Sequence, residues 1–236
     1  MEKTLQDISN HYGALLAQEA LHRGAICLSP LDPFQWASGY RMPIYNDNRR
    51  FLASAQSRAT IAEAFDAILD ALDFNPEAIA GTATAGIPHA TTLADLRGLP
   101  LSYVRSSAKD HGLRNIIEGL GADGSYHGQQ VLLIEDLIST GGSSIQAVET
   151  IIEAEGAVPY CLAIFTYGLS ASLQAFAAVH PICTPLAILD YDMMVHTARK
   201  TGYVDDQGAA LLTEWRRDPF GWGEAHGFPR VVKEGT

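Results

Sequence analysis

The densest run of chemistry-bearing residues is Val131-Leu132-Leu133-Ile134-Glu135-Asp136-Leu137-Ile138-Ser139-Thr140-Gly141-Gly142-Ser143-Ser144. A short apolar strand leads into two adjacent carboxylates, then into a turn of hydroxyl residues and glycines. A segment with Ile145, Val148 and Ile152 at helical spacing follows and stops at Gly156, so the run reads as strand, loop and helix N-terminus. Glycines let a backbone approach a ligand closely, and the amides of a helix start, with the hydroxyls of Ser139, Thr140, Ser143 and Ser144, can donate to phosphate oxygens. A monophosphate suits that loop. The acids would repel the same phosphate, so they must address a neighbouring group that donates hydrogen bonds, and vicinal ribose hydroxyls do. The run has no GxxxxGK[ST] and no lysine, which argues against a Walker A site and triphosphate hydrolysis. A bare Gly-Gly pair would only turn the chain. Two acids, four hydroxyls and two glycines at one junction outweigh that reading.

A second constellation is Tyr103-Val104-Arg105-Ser106-Ser107-Ala108-Lys109-Asp110-His111-Gly112. Arg105, Lys109 and His111 cluster after an apolar strand end in an otherwise acidic chain, and such cations need an anion, for which pyrophosphate is the natural candidate. Taken alone the run could equally be a solvated charged loop. The stretch from Gly112 to Gly128 is glycine-rich and polar without periodicity, so it reads as a long mobile loop of the kind that serves as a lid. His89, after Pro88 at a helix start, reads as structural. Gly119-Leu120-Gly121-Ala122-Asp123-Gly124 fits GxGxxG formally, but no strand precedes it and no apolar helix follows.

These loops need a scaffold. Leu5, Ile8, Tyr12, Leu15, Leu16 and Ala20 recur at helical spacing and predict a helix from Leu5 to His22 that ends near Gly24, and a second helix runs from about Ser57 to Leu72. The stretch Ser29 to Arg50, with Pro30, Pro33 and Pro43, reads as strands and turns. After Asn75-Pro76 come short apolar runs at 78–81, 101–104, 131–134, 160–165 and 185–189, each followed by a helix-compatible segment, which predicts βαβ units and a parallel sheet. Ligands in such sheets bind beyond the carboxyl ends of the strands, where both constellations lie.

Composition sets the outer limits. The 236 residues carry 16 Lys and Arg against 27 Asp and Glu, a formal net charge of −11, with 47% hydrophobic residues. One domain, or one with a subdomain, with a real core is expected. The acid excess disfavours nucleic acid and anionic membranes as partners and points to a small molecule. Cys27, Cys161 and Cys183 make neither a disulfide framework nor a zinc cluster, and the polar N-terminus lacks a signal peptide's apolar stretch; the expectation is a cytoplasmic protein with no membrane span.

The Val131–Ser144 run resembles the 5-phosphoribosyl 1-pyrophosphate (PRPP) fingerprint of the type I phosphoribosyltransferases. That resemblance implies an α/β fold, a parallel sheet flanked by helices with a small N-terminal hood subdomain. It also implies that Glu135 and Asp136 hold ribose hydroxyls and that Ser139, Thr140, Gly141, Gly142 and Ser143 hold the 5′-phosphate, with Leu137 and Ile138 among the substrate-binding residues. The expected division is 1–75 for the N-terminal helices and hood, 76–190 for the PRPP-binding core, and 191–236 for an extension packed on the core or a dimer partner. The aromatics Trp215, Phe220 and Trp222 fall in that extension.

The resemblance narrows further. Arg105, Lys109-Asp110-His111-Gly112, Asn115 and Glu118-Gly119 are similar to the catalytic loop of the orotate phosphoribosyltransferase family. Asp32 to Gly39 and Pro43 to Arg49, including Tyr45, resemble its orotate-side segment, and Gly81-Thr82-Ala83-Thr84-Ala85-Gly86-Ile87-Pro88 its pyrophosphate loop. The matches run from about Asp32 to Phe165. They imply that Arg105, Lys109 and His111 contact pyrophosphate with Lys109 the main catalytic cation, that Ala83, Thr84, Ala85 and Gly86 offer backbone amides to it, and that Ser139 touches orotate. They also imply Mg²⁺ held mainly by substrate oxygens and water, and a homodimer in which the Lys109 loop reaches the neighbouring subunit's site. Where many members carry lysines this chain has Ala37, Ala85 and Ser106, and it has Phe165-Thr166-Tyr167-Gly168 where an arginine is common, which leaves Arg41, Arg49 or backbone amides for the base's carboxylate. The activity implied is phosphoribosyl transfer from PRPP to orotate. Two alternatives stand beside it: a phosphoribosyltransferase for another base, such as a purine, and a non-catalytic PRPP-sensing regulator.

Overall fold

A computed structural model describes residues 4–106 and 116–231. The chain starts with α1 (Leu5–Ile8), one wider π turn (Ser9–Gly13) and α2 (Ala14–Arg23). Thr4 and Asp7 form a reciprocal capping box at the start, and Gly24, at φ +65°, ends the helix in the left-handed conformation that favours glycine. The helical stretch expected over Leu5 to His22 is therefore present, but the π turn adds a residue and rotates the later turns. In consequence Ile8, Leu16, Ala17 and Ala20 are buried while Leu15 is 48% exposed. Gly13 sits in that turn because a Cβ there would lie 2.5 Å from the Met193 sulfur and 2.8 Å from the Ile188 carbonyl.

The hood follows as short antiparallel pairs: β1 (Ile26–Leu28) with β4 (Ile44–Asn46), and β2 (Phe34–Gln35) with β3 (Arg41–Met42). A 3-10 segment (Asn48–Ala53) then leads into α3 (Ala55–Ala71), capped by the Ser54 hydroxyl accepting from the Ser57 amide. In α3, Ile61, Ala64, Phe65, Ile68 and Leu69 are buried at i, i+3, i+4 spacing.

The remainder is a wound α/β unit made of β5 (Ala78–Thr82), α4 (Ile87–Arg97), β6 (Leu101–Val104), β7 (Ile117–Glu118), β8 (Gln130–Ile138), α5 (Gly142–Glu153), β9 (Ala157–Thr166), α6 (Ser170–Ala177) and β10 (Thr184–Asp190), followed by α7 (Tyr191–Lys200), α8 (Asp206–Arg217) and α9 (Trp222–Ala225). The six-stranded sheet has the order β10-β9-β8-β5-β6-β7 and is parallel except for the β6/β7 pair. Alternation through the central strand is strict: Leu132 and Ile134 join a core with α2, α3 and α4, while Val131 and Leu133 join a second core with α5 and α6. Each such fully buried aliphatic side chain stabilises the fold by roughly 1.5–3 kcal/mol.

Three expectations need correction. The strand at 131–134 is longer, running through both acids to Ile138, because β9 pairs with it as far as Ile138↔Thr166. The helix-compatible segment expected after the 101–104 run falls mostly outside the described residues, and β7 runs antiparallel to β6. The inner face of α5 is Ser144, Ala147, Val148 and Ile151, with Ile145 and Ile152 only partly buried, since the helix begins at Gly142 and so presents a face one position earlier. Within the stretch read as a mobile loop, residues 116–128 are tied down by β7 and by Tyr126, 1% exposed, whose hydroxyl shares a 2.7 Å hydrogen bond with Ser102.

The C-terminal helices close over the hood. Trp215, 1% exposed, donates its indole N–H to the Met42 sulfur at 3.1 Å, and its ring packs against Tyr167 and Tyr191 with centroids 5.5 and 5.1 Å away. The Val231 amide donates to the Gly39 carbonyl at 2.9 Å, and the Arg230 guanidinium lies 4.3 Å from the Tyr40 ring centroid.

Candidate active site

The strand ends β5 and β8 and the start of α5 surround a polar cavity of about 370 Å³, lined by Thr82 to Ala85, Glu135 to Leu137 and Ser139 to Ser144. It gathers the acid pair, the phosphate-type loop and the Ala83–Ala85 loop in one place at the carboxyl edge of the sheet, as the topology requires. Gly141 starts α5 at φ +89°, and the first-turn amides of that helix have no intrahelical partners to donate to. Gly86 is sterically demanded: a Cβ would come within 2.5 Å of both the Ile134 carbonyl and the Thr82 hydroxyl oxygen. The Ala83–Thr84 peptide is cis.

The two acids have different surroundings. Glu135 is 6% exposed; its Oε1 accepts from the Thr82 hydroxyl at 2.6 Å and the Asp136 amide at 3.0 Å, and its Oε2 accepts from the Ser144 hydroxyl at 3.1 Å. Asp136 is half-buried. Burial first, then the neighbouring Glu135 charge, pushes its carboxyl up to about 7, with its own backbone amide and Arg49 pulling the other way. Asn48, 1% exposed, fixes the backbone here by donating Nδ2 to the Asp136 carbonyl at 2.7 Å. Arg49 itself is paired with Asp47 at 2.6 Å.

A second cavity of about 460 Å³ abuts the first and is lined by Gln35, Trp36, Ala37, Ser38, Tyr45, Asn46, Leu137, Ser139 and Tyr167. Leu137 and Ser139 belong to both walls. The Ile138↔Thr166 register places Tyr167 next to Ser139, and Tyr167 lies 6.0 Å from Trp36 between ring centroids. The Trp36 indole N–H donates to the Ile44 carbonyl at 2.9 Å, which holds that wall in place.

Of the residues singled out from the sequence, Ala83, Thr84, Ala85, Glu135, Asp136, Leu137, Ser139, Thr140, Gly141, Gly142 and Ser143 line the polar cavity, Tyr45 lines the second, and Gly86 and Ile138 stand directly behind these walls. Ser144, read as a phosphate donor, is 1% exposed and donates to Glu135 instead. Arg105 is paired with Glu118 at 3.6 Å and lines neither cavity. Lys109 and His111 lie outside the described residues. Sequence reasoning missed Thr82 and Asn48 as holders of the acid pair, whereas Trp36 fell within the orotate-side segment and Tyr167 where an arginine is common, and both line the second cavity. Arg41 lines neither cavity.

Residues 48–166 match the phosphoribosyl transferase domain, which defines the class: a phosphoribosyltransferase fold built around a strand-end phosphate loop. The chain is 44% identical over 210 residues to the orotate phosphoribosyltransferase of Enterococcus faecalis, covering 89% of this chain and 97% of that one. A crystal structure of orotate phosphoribosyltransferase from Aeropyrum pernix matches 80% of this chain and 99% of its own at a TM-score of 0.63 and 27% identity. A Leishmania donovani UMP synthase structure shares the fold at a TM-score of 0.71 and 23% identity, this chain spanning 42% of it. The chain belongs to the orotate phosphoribosyltransferase family, enzymes of the pentosyltransferase class.

Proposed function

We propose that the two cavities hold the two substrates of one transfer: PRPP in the polar cavity and orotate in the aromatic one, giving orotidine 5′-monophosphate and pyrophosphate. The observation that carries this reading is the shared wall. With Leu137 and Ser139 common to both cavities, an anomeric carbon bound over the acid pair faces a planar base lying between Trp36, Tyr45 and Tyr167. The α5 N-terminus and the Ser139, Thr140 and Ser143 hydroxyls receive the 5′-phosphate. The Ala83 to Gly86 backbone receives the pyrophosphate, and Asp136 the ribose hydroxyls.

Breaking the bond from the anomeric carbon to pyrophosphate leaves positive charge on the ribose and negative charge on the leaving group. The Glu135–Asp136 pair lies on the side where the positive charge grows, and preorganised charge of that sort lowers the barrier. The resemblance assigns Lys109, Arg105 and His111 to the leaving group, in a homodimer whose Lys109 segments are exchanged. Among the described residues no group of three or more His, Cys, Asp or Glu side chains could hold a metal ion, and Glu135 already accepts three hydrogen bonds. Mg²⁺ would come in with PRPP, held by substrate oxygens and water, and would supply neutralisation of the diphosphate charge.

Neither rival reading is favoured, because the relative from Enterococcus faecalis is named for orotate and matches over 89% of this chain. No helix of the described residues is long and apolar enough to cross a membrane. The test is to mix the protein with PRPP, Mg²⁺ and orotate and follow the loss of orotate's ultraviolet absorbance. Turnover is expected, and PRPP binding without turnover would replace orotate by another base or catalysis by sensing.

A further inference from the structure

The acid pair is built asymmetrically. Three donors converge on Glu135 from three elements: the Thr82 hydroxyl at the end of β5, the Ser144 hydroxyl in the first turn of α5, and the Asp136 amide of β8. A carboxylate accepts all three, whereas a protonated carboxyl would have to turn a donor toward one of them. Thr82 and Ser144 are themselves 6% and 1% exposed, so their hydroxyls are committed to this acid rather than exchanging with solvent. The Asp136 carboxyl, by contrast, forms part of the cavity wall.

We propose that Thr82 and Ser144 are positioning residues that hold Glu135 as the charged member of the pair, so that Asp136 carries the pair's proton in the empty site and releases it to solvent when ribose hydroxyls bind. The hydroxyls donate to a carboxylate, which favours the ionised form of Asp136; the proton leaves to the buffer and no bond in the sugar changes. Among the described residues the charged and titratable groups around Asp136 are few. Glu135 adjoins it on β8, Arg49 acts on it from the 3-10 segment with Tyr45 of β4 beside Arg49, and the Cys161 thiol of β9 lies behind Glu135. The Ala83–Ala85 loop and the start of α5 bring amides and hydroxyls but no further titratable side chain among the described residues. Burial beside Glu135 puts the Asp136 carboxyl near 7, where a proton is gained or lost under ordinary assay conditions.

Without one of these donors Glu135 no longer outcompetes Asp136 as the charged member, the shared proton passes to Glu135, and the pair holds that proton to higher pH. The inference rests on the PRPP reading of the cavity. Its test is the pH profile of kcat/KM for PRPP, which reports groups of the free enzyme. Wild type is expected to fall off below about pH 7. In Thr82→Val this limb moves up by about one pH unit, so that kcat/KM drops about tenfold relative to wild type at pH 6.5 and the two converge at pH 9. The loss falls on KM more than on kcat. Thr82→Ser, which keeps the donor, restores the wild-type limb, and Ser144→Ala shifts the limb in the same direction, so a failure of Thr82→Val to fold leaves the test intact. Calorimetry of PRPP binding at pH 7 in buffers of different ionisation heat is expected to show proton release that Asp136→Asn removes. An equal loss at pH 6.5 and pH 9, or a Thr82→Ser that fails to rescue, overturns the inference. A wild type that binds no PRPP overturns the reading beneath it, and a wild type that turns over with an unmoved limb in both variants overturns the inference alone.

Discussion

The two cavities that meet at Leu137 and Ser139 are made in opposite ways. The polar one draws most of its wall from one continuous run, Glu135 to Ser144, with a second loop from the neighbouring strand end. The aromatic one is assembled from β2, the turn after it, β4, the end of β8 and the residue beyond β9, which are brought together only by folding. On the reading proposed above the first would take the groups that every phosphoribosyl donor presents, and local backbone geometry suffices for phosphate and hydroxyls. The second would take the base, and its residues are spread along the chain, so a change among them need not disturb the first cavity.

The comparison predicts separable losses. Lys109→Ala is expected to lower kcat by about 10²–10³-fold while the KM for PRPP moves far less, since a cation on the leaving group matters most as charge develops. Steady-state kinetics decide this, and an unchanged kcat removes Lys109 from catalysis. Asp136→Asn is expected to raise the KM for PRPP by roughly 10–100-fold, the scale of one charge-assisted hydrogen bond lost in a half-buried site. The KM for orotate stays within a few-fold, and unaltered PRPP binding would undo the ribose assignment. Trp36→Leu should do the reverse: a loss of about tenfold in KM for orotate, the scale of one aromatic contact, with PRPP binding intact by calorimetry. If Trp36→Leu weakens both substrates alike, the two cavities act as one.

How readable each cavity is follows from the same contrast. The acid pair and phosphate loop stand next to one another in the chain, so residue type and spacing carry their chemistry directly. The strands were visible as apolar runs because a parallel sheet covered on both faces needs them. What could not be read is whatever depends on register or on a hydrogen bond over long separation. Tyr167 enters the base cavity through the Ile138↔Thr166 pairing, and Ser144 turns from the phosphate to Glu135 because Gly142 starts α5 and aims that side chain inward. The π turn at Ser9–Gly13 likewise leaves the apolar spacing intact while changing which residues of that spacing are buried. Thr82 looked like a loop residue and proves to be 2.6 Å from a carboxylate 53 positions away.

Smaller in size, and still a test of the contrast between site and scaffold, are two titrating groups, one half-buried and one buried, with opposite pH signatures. Asp136 in the site has its carboxyl raised to about 7 by burial and the Glu135 charge. The folded state then binds its proton more tightly than the unfolded chain does, and the stability it contributes falls as pH rises from about 4 to about 7. His89 in α4 is 2% exposed and lowered to about 4 by burial, with Arg58 adding to the effect. There the unfolded chain binds the proton first, so stability is intact above about 6.5 and is lost as pH falls toward 4, by roughly 3 kcal/mol in all. Asp136→Asn should therefore gain stability over wild type at pH 8 that it does not show at pH 4, while His89→Gln should gain at pH 4.5 what it lacks at pH 7.5. Urea unfolding of the three proteins across that range measures both. Parallel curves for wild type and Asp136→Asn would mean that the acid pair is solvated in the free protein, and the functional cavity would then have no more electrostatic strain than the scaffold around it.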